Sequence, residues 1–350
     1  MRVLAAGDNF VSPDLLVTAL EEETGADRLE PLEATRLHLP WPVEPFGPVG
    51  GVEEASGTEE QVIAALRGAE VCMTQMAPVT SRVIDACPGL RLVSVCRGGP
   101  VNVDLEAATR AGVAVTYAPG RNATAAAEYA IAMILAALRR VPAADAEMRE
   151  GRWRGDFYAY DQAGVELDGT AVGLVGYGAI GRIVARILRA FGAHVLVSDP
   201  YTDKATAEED GVRLVGLEEL LSTCTVVSLH ARLTEETRNL IDADRLALMP
   251  RGAVLVNTAR GGLLDHAPLP DALHSGRLGA LALDVYDVEP PPADWPLRGL
   301  DNVVTTPHLA GATRQTAERA ARIVAGEVGR YLRGQAPRHL ANPEVREVRA

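Results

Sequence analysis

The sequence has few cysteines and no apolar run long enough to cross a bilayer. Its cysteines form no CxxC pair and have no metal-type spacing to histidine: Cys72, Cys87, Cys96 and Cys224. Neither a disulfide framework nor a metal site is therefore expected. The longest apolar stretch, Ala130 to Leu138, is well short of the about 20 residues that a membrane helix needs, and the first residues lack the apolar core of a signal peptide. These absences predict a cytoplasmic protein that does not bind a membrane.

Basic and aromatic residues are also scarce. The chain has 34 lysines and arginines against 47 aspartates and glutamates, a formal net charge of −13. This charge argues against a nucleic-acid partner, because the phosphate backbone binds a basic surface, but a small anionic substrate needs only a few local cations. Aromatic residues make up 4% and apolar residues 47% of the chain, which is typical of α/β proteins with buried parallel strands. The length of 350 residues favours two domains.

Short apolar runs alternate with segments of helical periodicity, a pattern that predicts βαβ units and parallel sheets. The predicted strands form two series: Val3–Ala6, Val71–Thr74, Leu92–Val95 and Val113–Thr116, then Ala171–Val175, His194–Ser198, Thr225–Leu229, Ala253–Asn257, Leu281–Val285 and Val303–Thr306. A long helix, Ala125–Arg140, separates the series, and a last helix covers about Thr313–Arg333. The Pro- and Gly-rich stretch Pro40–Gly57 is interpreted as a loop, and Gly151–Gly164 as an irregular connection that reaches either solvent, a substrate or a partner subunit.

A glycine-rich motif follows the strand Ala171–Val175 and precedes a helix: Gly176-Tyr177-Gly178-Ala179-Ile180-Gly181. A strand, GxGxxG and a helix in this order are typical of a dinucleotide site. The first glycine permits a tight turn, the second lets the backbone approach the pyrophosphate, and the third lets helix and strand pack closely. We expect the amides of Ala179 and Ile180 to face the phosphates at the helix amino terminus, where the helix dipole favours anions.

Asp199 directly follows the next predicted strand, His194–Ser198. A carboxylate at this position accepts hydrogen bonds from the adenosine ribose hydroxyls and repels a 2′-phosphate. The two residues after it, Pro200 and Tyr201, supply no cation that would bind such a phosphate. The sequence therefore predicts NAD as the cofactor in preference to NADP.

Three further strand ends carry charged residues. Arg260 follows Ala253–Asn257, Glu289 follows Leu281–Val285, and His308 follows Val303–Thr306. A hydride-carrying cofactor leaves the protein to orient an acid, polarise its carbonyl and handle one proton. An arginine binds a carboxylate with two parallel hydrogen bonds, and a histidine transfers protons near neutral pH when a carboxylate fixes its tautomer. Together the residues predict hydride transfer to or from C2 of a small 2-hydroxy or 2-oxo acid.

At these motifs the sequence resembles the D-isomer-specific 2-hydroxyacid dehydrogenases, which include D-3-phosphoglycerate dehydrogenase. The resemblance runs from about Cys72 to Arg333 and rests on the glycine motif with Asp199 and on three runs: Asn-Thr-Ala-Arg-Gly-Gly, Asp-Val-Tyr-Asp-Val-Glu-Pro and Thr-Pro-His-Leu-Ala-Gly-Ala-Thr. It implies an α/β fold in which a Rossmann-type NAD domain, residues 124–311, is inserted into a flavodoxin-like substrate domain, residues 1–123 with 312–350, with a parallel sheet in each. It also implies a homodimer.

The resemblance implies roles for individual residues as well. Arg260 is expected to anchor the substrate, Glu289 to pair with the histidine, and His308 to act as acid and base. Contacts to the cofactor are expected from Thr258, Asp284, Gly311 and Ala231. Arg232 stands where relatives usually carry proline, so the contacts of its loop are less firmly implied.

The expected substrate loop departs from the family pattern. It reads Arg97-Gly98-Gly99-Pro100, is shorter than usual and is stiffened by the proline. We expect Arg97, Gly98 and Gly99 to bind substrate; Arg97 either holds a second anionic or hydroxyl-rich end of the substrate or pairs with an acid such as Asp104. The regulatory domains of long phosphoglycerate dehydrogenases are not expected here, so phosphoglycerate is not assigned as the substrate. The substrate acid could be phosphorylated, polyhydroxylated or neither.

Two other readings stay open. A dehydrogenase of the same fold could oxidise phosphite or formate, although formate dehydrogenases of this superfamily resemble a Gln–His pair, whereas Glu289 stands in this chain. Alternatively, the chain could be an NAD-sensing binding protein that recruits partners. The acidic charge and the lack of a basic tail favour an enzyme over such a protein.

Overall fold

The computed structural model describes residues 2–25 and 33–345. The parts of the predicted substrate domain at residues 1, 26–32 and 346–350 lie outside them. The chain divides into two compact units, residues 1–121 with 312–350 (the first unit) and residues 122–311 (the second unit). The division from the sequence placed the first crossing at 123/124, two residues later than this one.

The strands are numbered in chain order: β1 Arg2–Gly7, β2 Glu33–His38, β3 Gly47–Val49, β4 Val52–Ala55, β5 Val71–Thr74, β6 Leu92–Val95, β7 Ala114–Tyr117, β8 Ala171–Val175, β9 His194–Ser198, β10 Arg213–Leu214, β11 Val226–Leu229, β12 Ala253–Asn257, β13 Leu278–Leu283 and β14 Val303–Thr305. The α-helices are α1 Pro13–Thr24, α2 Glu59–Ala65, α3 Ser81–Ala86, α4 Leu105–Arg110, α5 Ala123–Leu138, α6 Val141–Arg149, α7 Ala179–Ala190, α8 Lys204–Glu209, α9 Leu217–Thr223, α10 Ala243–Leu248, α11 Leu269–His274 and α12 Arg314–Leu332. Short 3-10 helices cover Gly155–Tyr158 and Gly261–Leu263.

The first unit is built on a parallel sheet of five strands in the order β2-β1-β5-β6-β7. Its central strands are buried on both faces, which explains why their sequences are mostly apolar and do not alternate with polar residues. Helices α1 and α12 cover one face through Leu16, Leu20 and Val324. Helices α2, α3 and α4 cover the other face, where Val62 and Val83 are buried.

The interpretation of Pro40–Gly57 as a loop is wrong in part. Strands β3 and β4 within it form an antiparallel hairpin, whose turn residues Gly50 and Gly51 have φ of 55° and 94°. Two positive φ angles are typical of the tight turns that match the twist of paired strands. The hairpin is bound to neighbouring loops, since Ser56 N donates to Met76 O at 2.9 Å and Glu53 N donates to Val101 O at 3.2 Å. Its strands are too short, and too rich in Gly and Pro, to show alternation.

The second unit contains a sheet of seven strands in the order β10-β9-β8-β11-β12-β13-β14, and every pair in it is parallel. Helices α5 and α7 bury Ile134 and Leu188 on one face. Helices α9, α10 and α11 bury Leu220, Leu246 and Leu269 on the other. The prediction of two parallel α/β sheets is thus confirmed.

Several predicted boundaries shift by a few residues. The strand predicted at Leu281–Val285 spans Leu278–Leu283. Val285 is buried although it lies beyond the end of the strand, and its apolar side chain therefore extended the prediction too far. Strands β2 and β10 were not predicted. Strand β2 is mostly exposed and contains no apolar run, and β10 is only two residues long, so neither gives a recognisable strand pattern in the sequence. In the described ranges, no helix is both long and apolar enough to cross a membrane.

Candidate active site

The residues expected to carry the chemistry lie at one edge of the seven-stranded sheet. Strands β12, β13 and β14 are neighbours and run parallel, so their carboxyl ends meet at that edge, where α/β proteins bind ligands. Arg260 follows β12, Glu289 follows β13 and His308 follows β14. Sheet order therefore brings these three chain segments together within the second unit.

The turn that carries Arg260 is shaped by a buried asparagine. Asn257, the last residue of β12, donates from its side chain to Arg260 O at 2.8 Å and accepts a hydrogen bond from Ala259 N at 3.0 Å. Arg260 itself is exposed, and its Nη1 donates to Ala259 O at 2.7 Å. The guanidinium therefore lies at the surface of the sheet edge with donors available for an anion.

Gly261 lets this turn approach the segment that carries Glu289. A Cβ at Gly261 would lie 1.9 Å from Tyr286 O and 2.6 Å from Asp287 N. Backbone atoms cannot yield to such contacts, so any larger residue would push the two segments apart. The glycine thus sets how closely Arg260 and Glu289 are held.

Glu289 and His308 form a hydrogen-bonded pair. His308 Nδ1 lies 2.7 Å from Glu289 Oε2, and Tyr286 N donates to Glu289 Oε1 at 3.0 Å. Burial by itself raises the pKa of Glu289, but the hydrogen bond and charge of His308, with the charge of Arg260, outweigh it and hold the pKa below its ordinary value. The carboxylate is therefore charged at neutral pH, and Nε2 is the imidazole nitrogen left for a ligand.

The backbone of His308 is strained. Its φ of 55° lies in the left-handed region, which costs a residue other than glycine about 1–3 kcal/mol and recurs at functional sites. The buried carboxylate of Asp284 supports this conformation: Oδ1 accepts from Thr306 Oγ1 at 2.6 Å and from Leu309 N at 2.8 Å, and Oδ2 accepts from Ala310 N at 2.8 Å. The loop on both sides of the histidine is thus fastened to the end of β13.

Sequence reasoning missed two residues that join these segments. The Asn257 side chain clamps the arginine turn, and Tyr286 O–H donates to Thr306 O at 2.9 Å, which ties the glutamate segment to the histidine loop. Tyr286 also packs edge-on against Trp295, with ring centroids 5.4 Å apart. Both residues lie inside the motif runs that the sequence singled out, and their polar side chains beside a strand end were the available signal.

The glycine motif forms a turn with space beside it. Gly176 has a φ of 99°, and a Cβ there would lie 2.5 Å from Ala231 N. A Cβ at Gly181 would lie 2.5 Å from Gly176 O, whereas a Cβ at Gly178 would meet nothing within 4 Å. The first and third glycines therefore allow close packing, and the second borders open space. Because Gly178 makes no side-chain cap at the start of α7, the first amides of that helix, including those of Ala179 and Ile180, suit a pyrophosphate.

Asp199 binds the glycine turn from the end of β9. Its Oδ2 accepts from Tyr177 N at 2.7 Å and its Oδ1 accepts from Tyr201 N at 2.8 Å. Each carboxylate oxygen has a second lone pair, so ribose hydroxyls can still bind there. This donor and acceptor set fits a dinucleotide, and the buried Thr258, the half-buried Ala231 and Gly311 lie at or near other strand ends of the same edge.

The expected substrate loop belongs to the first unit. Arg97 follows β6 and forms an ion pair with Glu54 on β4. No ion pair between Arg97 and Asp104, the acid named as an example from the sequence, is found among the described residues; Asp104 caps α4 by accepting from Ala107 N at 2.9 Å. The acidic partner of Arg97 is therefore Glu54 of the β3–β4 hairpin and not Asp104.

The described residues include no group of His, Cys, Asp or Glu side chains arranged to hold a metal ion. All four cysteines are buried and unpaired in disulfides. Burial raises the pKa of the Cys96 thiol to about 12, so this sulfur is a neutral thiol and a poor nucleophile. The polar chemistry of the sheet edge therefore comes from the arginine, glutamate and histidine.

Comparison with known proteins extends this description. The profile of the family described as "D-isomer specific 2-hydroxyacid dehydrogenase, NAD binding domain" matches residues 131–310. The glyoxylate reductase of Korarchaeum cryptofilum is 38% identical over 298 residues, 85% of this chain and 90% of that protein. The D-3-phosphoglycerate dehydrogenase of Mycobacterium tuberculosis is 42% identical over 277 residues, 79% of this chain and 52% of that protein.

Solved structures give the same result. A crystal structure of a protein from Thermus thermophilus superposes with a TM-score of 0.80 at 33% identity, covering 97% of this chain and 100% of that one. The D-lactate dehydrogenase of Escherichia coli superposes with a TM-score of 0.76 at 26% identity, covering 97% of this chain and 100% of that one.

The chain belongs to the D-isomer-specific 2-hydroxyacid dehydrogenases, a family of NAD-dependent oxidoreductases. NAD is its cofactor, as the glycine motif together with Asp199 predicted. The chain spans about half the length of the D-3-phosphoglycerate dehydrogenases that it matches, 54% for the Archaeoglobus fulgidus protein, and most of the length of the glyoxylate reductases.

Proposed function

We propose that the protein transfers a hydride between NAD(H) and C2 of a small D-2-hydroxy or 2-oxo acid. The observation that carries the proposal is the Glu289–His308 hydrogen bond of 2.7 Å at the sheet edge that also holds Arg260. An acid-base pair beside an exposed cation suits a substrate that has both a carboxylate and an adjacent carbonyl. The names of the relatives, glyoxylate reductase and D-3-phosphoglycerate dehydrogenase, are consistent with that substrate class.

Each charged residue has one proposed task in the reducing direction. Arg260 binds the carboxylate of the 2-oxo acid and so orients its carbonyl. NAD, when bound in its reduced form, supplies the hydride to C2. Protonated His308 gives the proton on Nε2 to the carbonyl oxygen, while Glu289 stabilises the imidazolium through Nδ1. In the oxidising direction neutral His308 removes the hydroxyl proton through the same nitrogen.

The cofactor contacts are proposed as follows. The amides at the start of α7, from Ala179 and Ile180, bind the pyrophosphate beside Gly176, Gly178 and Gly181, and Asp199 binds the adenosine ribose. Thr258, Asp284, Ala231 and Gly311 contact the remaining parts. Asp284 would then have two functions, because its carboxylate also accepts the three hydrogen bonds that hold the histidine loop.

We further propose that Arg97, Gly98 and Gly99 contribute to substrate binding and that the substrate is a phosphorylated or polyhydroxylated acid.

We also propose that the protein is a homodimer. Its support is the segment 151–164, where Trp153 is 83% exposed and Tyr158 and Tyr160 are each 95% exposed, because tryptophan and tyrosine are enriched at protein interfaces. Light scattering of the purified protein tests the dimer; a monomer mass would contradict it.

A substrate screen tests the function. NADH oxidation is followed with glyoxylate, pyruvate, hydroxypyruvate and phosphorylated 2-oxo acids, and NAD reduction with phosphite and formate. We expect turnover with at least one 2-oxo acid and none with phosphite or formate. Turnover of phosphite alone would replace the proposal with the oxidation of that anion. NAD binding without any turnover would favour an NAD-sensing binding protein, and a pull-down would then identify its partner.

A further inference from the structure

The connection between β13 and β14 contains a loop that carries Glu289, and two aromatic side chains meet at the base of this loop. Tyr286 precedes Glu289 and Trp295 follows it. The two rings pack edge-on, with centroids 5.4 Å apart and an interplanar angle of 84°, an arrangement that pairs of aromatic rings prefer. The contact therefore closes the loop that supplies the partner of His308.

Tyr286 holds both sides of the Glu289–His308 pair. Its backbone N–H donates to Glu289 Oε1 at 3.0 Å. Its hydroxyl donates to Thr306 O at 2.9 Å, and the same carbonyl accepts from His308 N at 3.1 Å. Burial and the charge of Asp284 raise the pKa of Tyr286 to about 12, so the hydroxyl stays a donor across the neutral range. The position of the Tyr286 ring therefore affects the carboxylate and the histidine loop together.

The Glu289–His308 pair depends on such anchors because it is not enclosed by the core. The side chain of Glu289 is 31% exposed and that of His308 is 42% exposed. The left-handed backbone of His308, with a φ of 55°, persists only where its surroundings hold it. The distance between the carboxylate and the imidazole is thus set by the loops on which the two residues lie.

Trp295 is itself well held and contacts Tyr286 through its ring. Its backbone N–H donates to Pro292 O at 3.1 Å, and its carbonyl accepts from Arg298 N at 3.1 Å. The half-buried side chain packs, as the Tyr286 ring does, against the apolar core of the second unit. In the described part of the chain the indole N–H forms no hydrogen bond. The influence of Trp295 on Tyr286 is therefore one of packing.

We propose that Trp295 is a positioning residue for the Glu289–His308 pair, because its ring fixes the Tyr286 ring that holds both loops. The proposal rests on the dehydrogenase function proposed above. In this role Trp295 needs no contact with the substrate or the cofactor. Without the aromatic contact the Tyr286 ring can turn, and the Glu289 carboxylate is then no longer held 2.7 Å from His308 Nδ1.

The experiment compares the unaltered full chain with Trp295→Leu, which removes the aromatic ring, and with Trp295→Phe, which keeps one. Trp41→Leu is the matched control, because Trp41 packs edge-on against Phe10 in the first unit, with ring centroids 6.0 Å apart. For each protein, kcat for a 2-oxo acid that the unaltered enzyme reduces is measured as a function of pH, together with the KM for NADH and the Tm.

We expect Trp295→Leu to lower kcat about tenfold or more, since displacing a catalytic group by about 1 Å can cost 10²-fold. The rate should also begin to fall at a lower pH as the pH rises, because a displaced carboxylate favours the protonated imidazole less. The KM for NADH should change little, since the glycine motif and Asp199 are untouched. Trp295→Phe should restore most of kcat and the native pH dependence.

A double variant separates positioning from a loss of stability. If Trp295 acts through Glu289, adding Trp295→Leu to Glu289→Gln should shift the pH dependence no further, because the carboxylate charge is already absent and the two effects are not additive. A further shift in the double variant would contradict the proposal. Trp41→Leu should keep the native pH dependence, whether or not its Tm falls.

An unchanged kcat and pH dependence in Trp295→Leu would overturn the inference, as would a lowered Tm as its only effect or a Trp295→Phe that is equally impaired. Should Trp295→Leu fail to fold, Trp295→Met takes its place with the same expectations, since it fills more of the space without an aromatic ring. If the unaltered enzyme reduces no 2-oxo acid, the proposed function fails and this inference fails with it. Turnover by the unaltered enzyme with an identical pH dependence in Trp295→Leu removes this inference alone.

Discussion

His308 Nδ1 lies 2.7 Å from Glu289 Oε2, and this contact decides which imidazole nitrogen is left for chemistry. With Nδ1 bound to the carboxylate, Nε2 is the nitrogen that can exchange a proton with a substrate. The two residues come from the ends of adjacent parallel strands, β13 and β14, so the pair is held by the sheet rather than by a mobile segment.

Replacement of the histidine tests its role as acid and base. His308→Asn should lower kcat by about 10²–10⁴-fold, the usual contribution of such a group, while the affinity for NADH should change little. Asparagine is chosen because it tolerates the left-handed backbone of this position, which alanine does not. His274→Asn, on the exposed end of α11, is the control. Near-normal turnover in His308→Asn would remove the residue from the mechanism.

Loss of the carboxylate charge should alter the pH dependence. Because the pKa of Glu289 lies below its ordinary value, the carboxylate is charged across the neutral range and favours the protonated imidazole. In Glu289→Gln that support is absent, so the rate of 2-oxo acid reduction should begin to fall at a lower pH as the pH rises. Asp287→Asn removes the same charge from an exposed position of the same segment. Identical pH–rate profiles for the native enzyme and Glu289→Gln would make Glu289 merely structural.

The cofactor preference should depend on Asp199. Asp199→Ala removes the proposed ribose acceptor, the repulsion of a 2′-phosphate and the hydrogen bond from Tyr177 N. We expect the ratio of kcat/KM for NADH over NADPH to fall by about tenfold or more, the scale of a hydrogen bond to a charged group. Asp203→Ala is matched, since Asp203 caps the nearby α8 through Thr206 N at 2.8 Å and should affect stability alone. A native enzyme that uses both cofactors equally would contradict the assignment.

The close approach at Gly261 makes a prediction about both stability and activity. A Cβ there would lie 1.9 Å from Tyr286 O, so Gly261→Ala should force the Arg260 and Glu289 segments apart. Overpacking of this kind costs about 1–3 kcal/mol, and Tm should fall by several degrees, with kcat/KM reduced further. Gly216→Ala is the control, because a Cβ at Gly216 meets nothing within 4 Å. If Gly261→Ala keeps the native Tm and activity, the segments do not depend on this contact.

Much of the fold was predictable because the buried parallel strands are short runs of mostly apolar residues. Leu92–Val95 and Ala253–Asn257, for example, were predicted with the bounds that the structure has. The hairpin β3–β4 was not, because its strands are short and contain Pro48, and its pairing depends on two glycines with positive φ. Missing the hairpin also meant missing Glu54 as the partner of Arg97.

Some residues of the candidate site were also predicted from the sequence, and others were missed. Charged side chains after strands β12, β13 and β14 could be found from the sequence, because the strand ends and the motif runs are visible there. The residues that orient them were missed although their polar side chains beside the strand ends were visible, because Asn257 and Tyr286 act on backbone carbonyl groups whose positions only the fold defines.

The most direct test of the proposed reaction follows the hydride itself. The purified enzyme is incubated with NADH that carries deuterium at the transferred position of nicotinamide C4 and with a 2-oxo acid that it reduces, and the product is examined by NMR and chiral chromatography. The account predicts a D-2-hydroxy acid with deuterium at C2, because the hydride moves from nicotinamide C4 directly to that carbon and a C–H bond at C2 does not exchange with water. A product without deuterium at C2, or the L isomer, would contradict it.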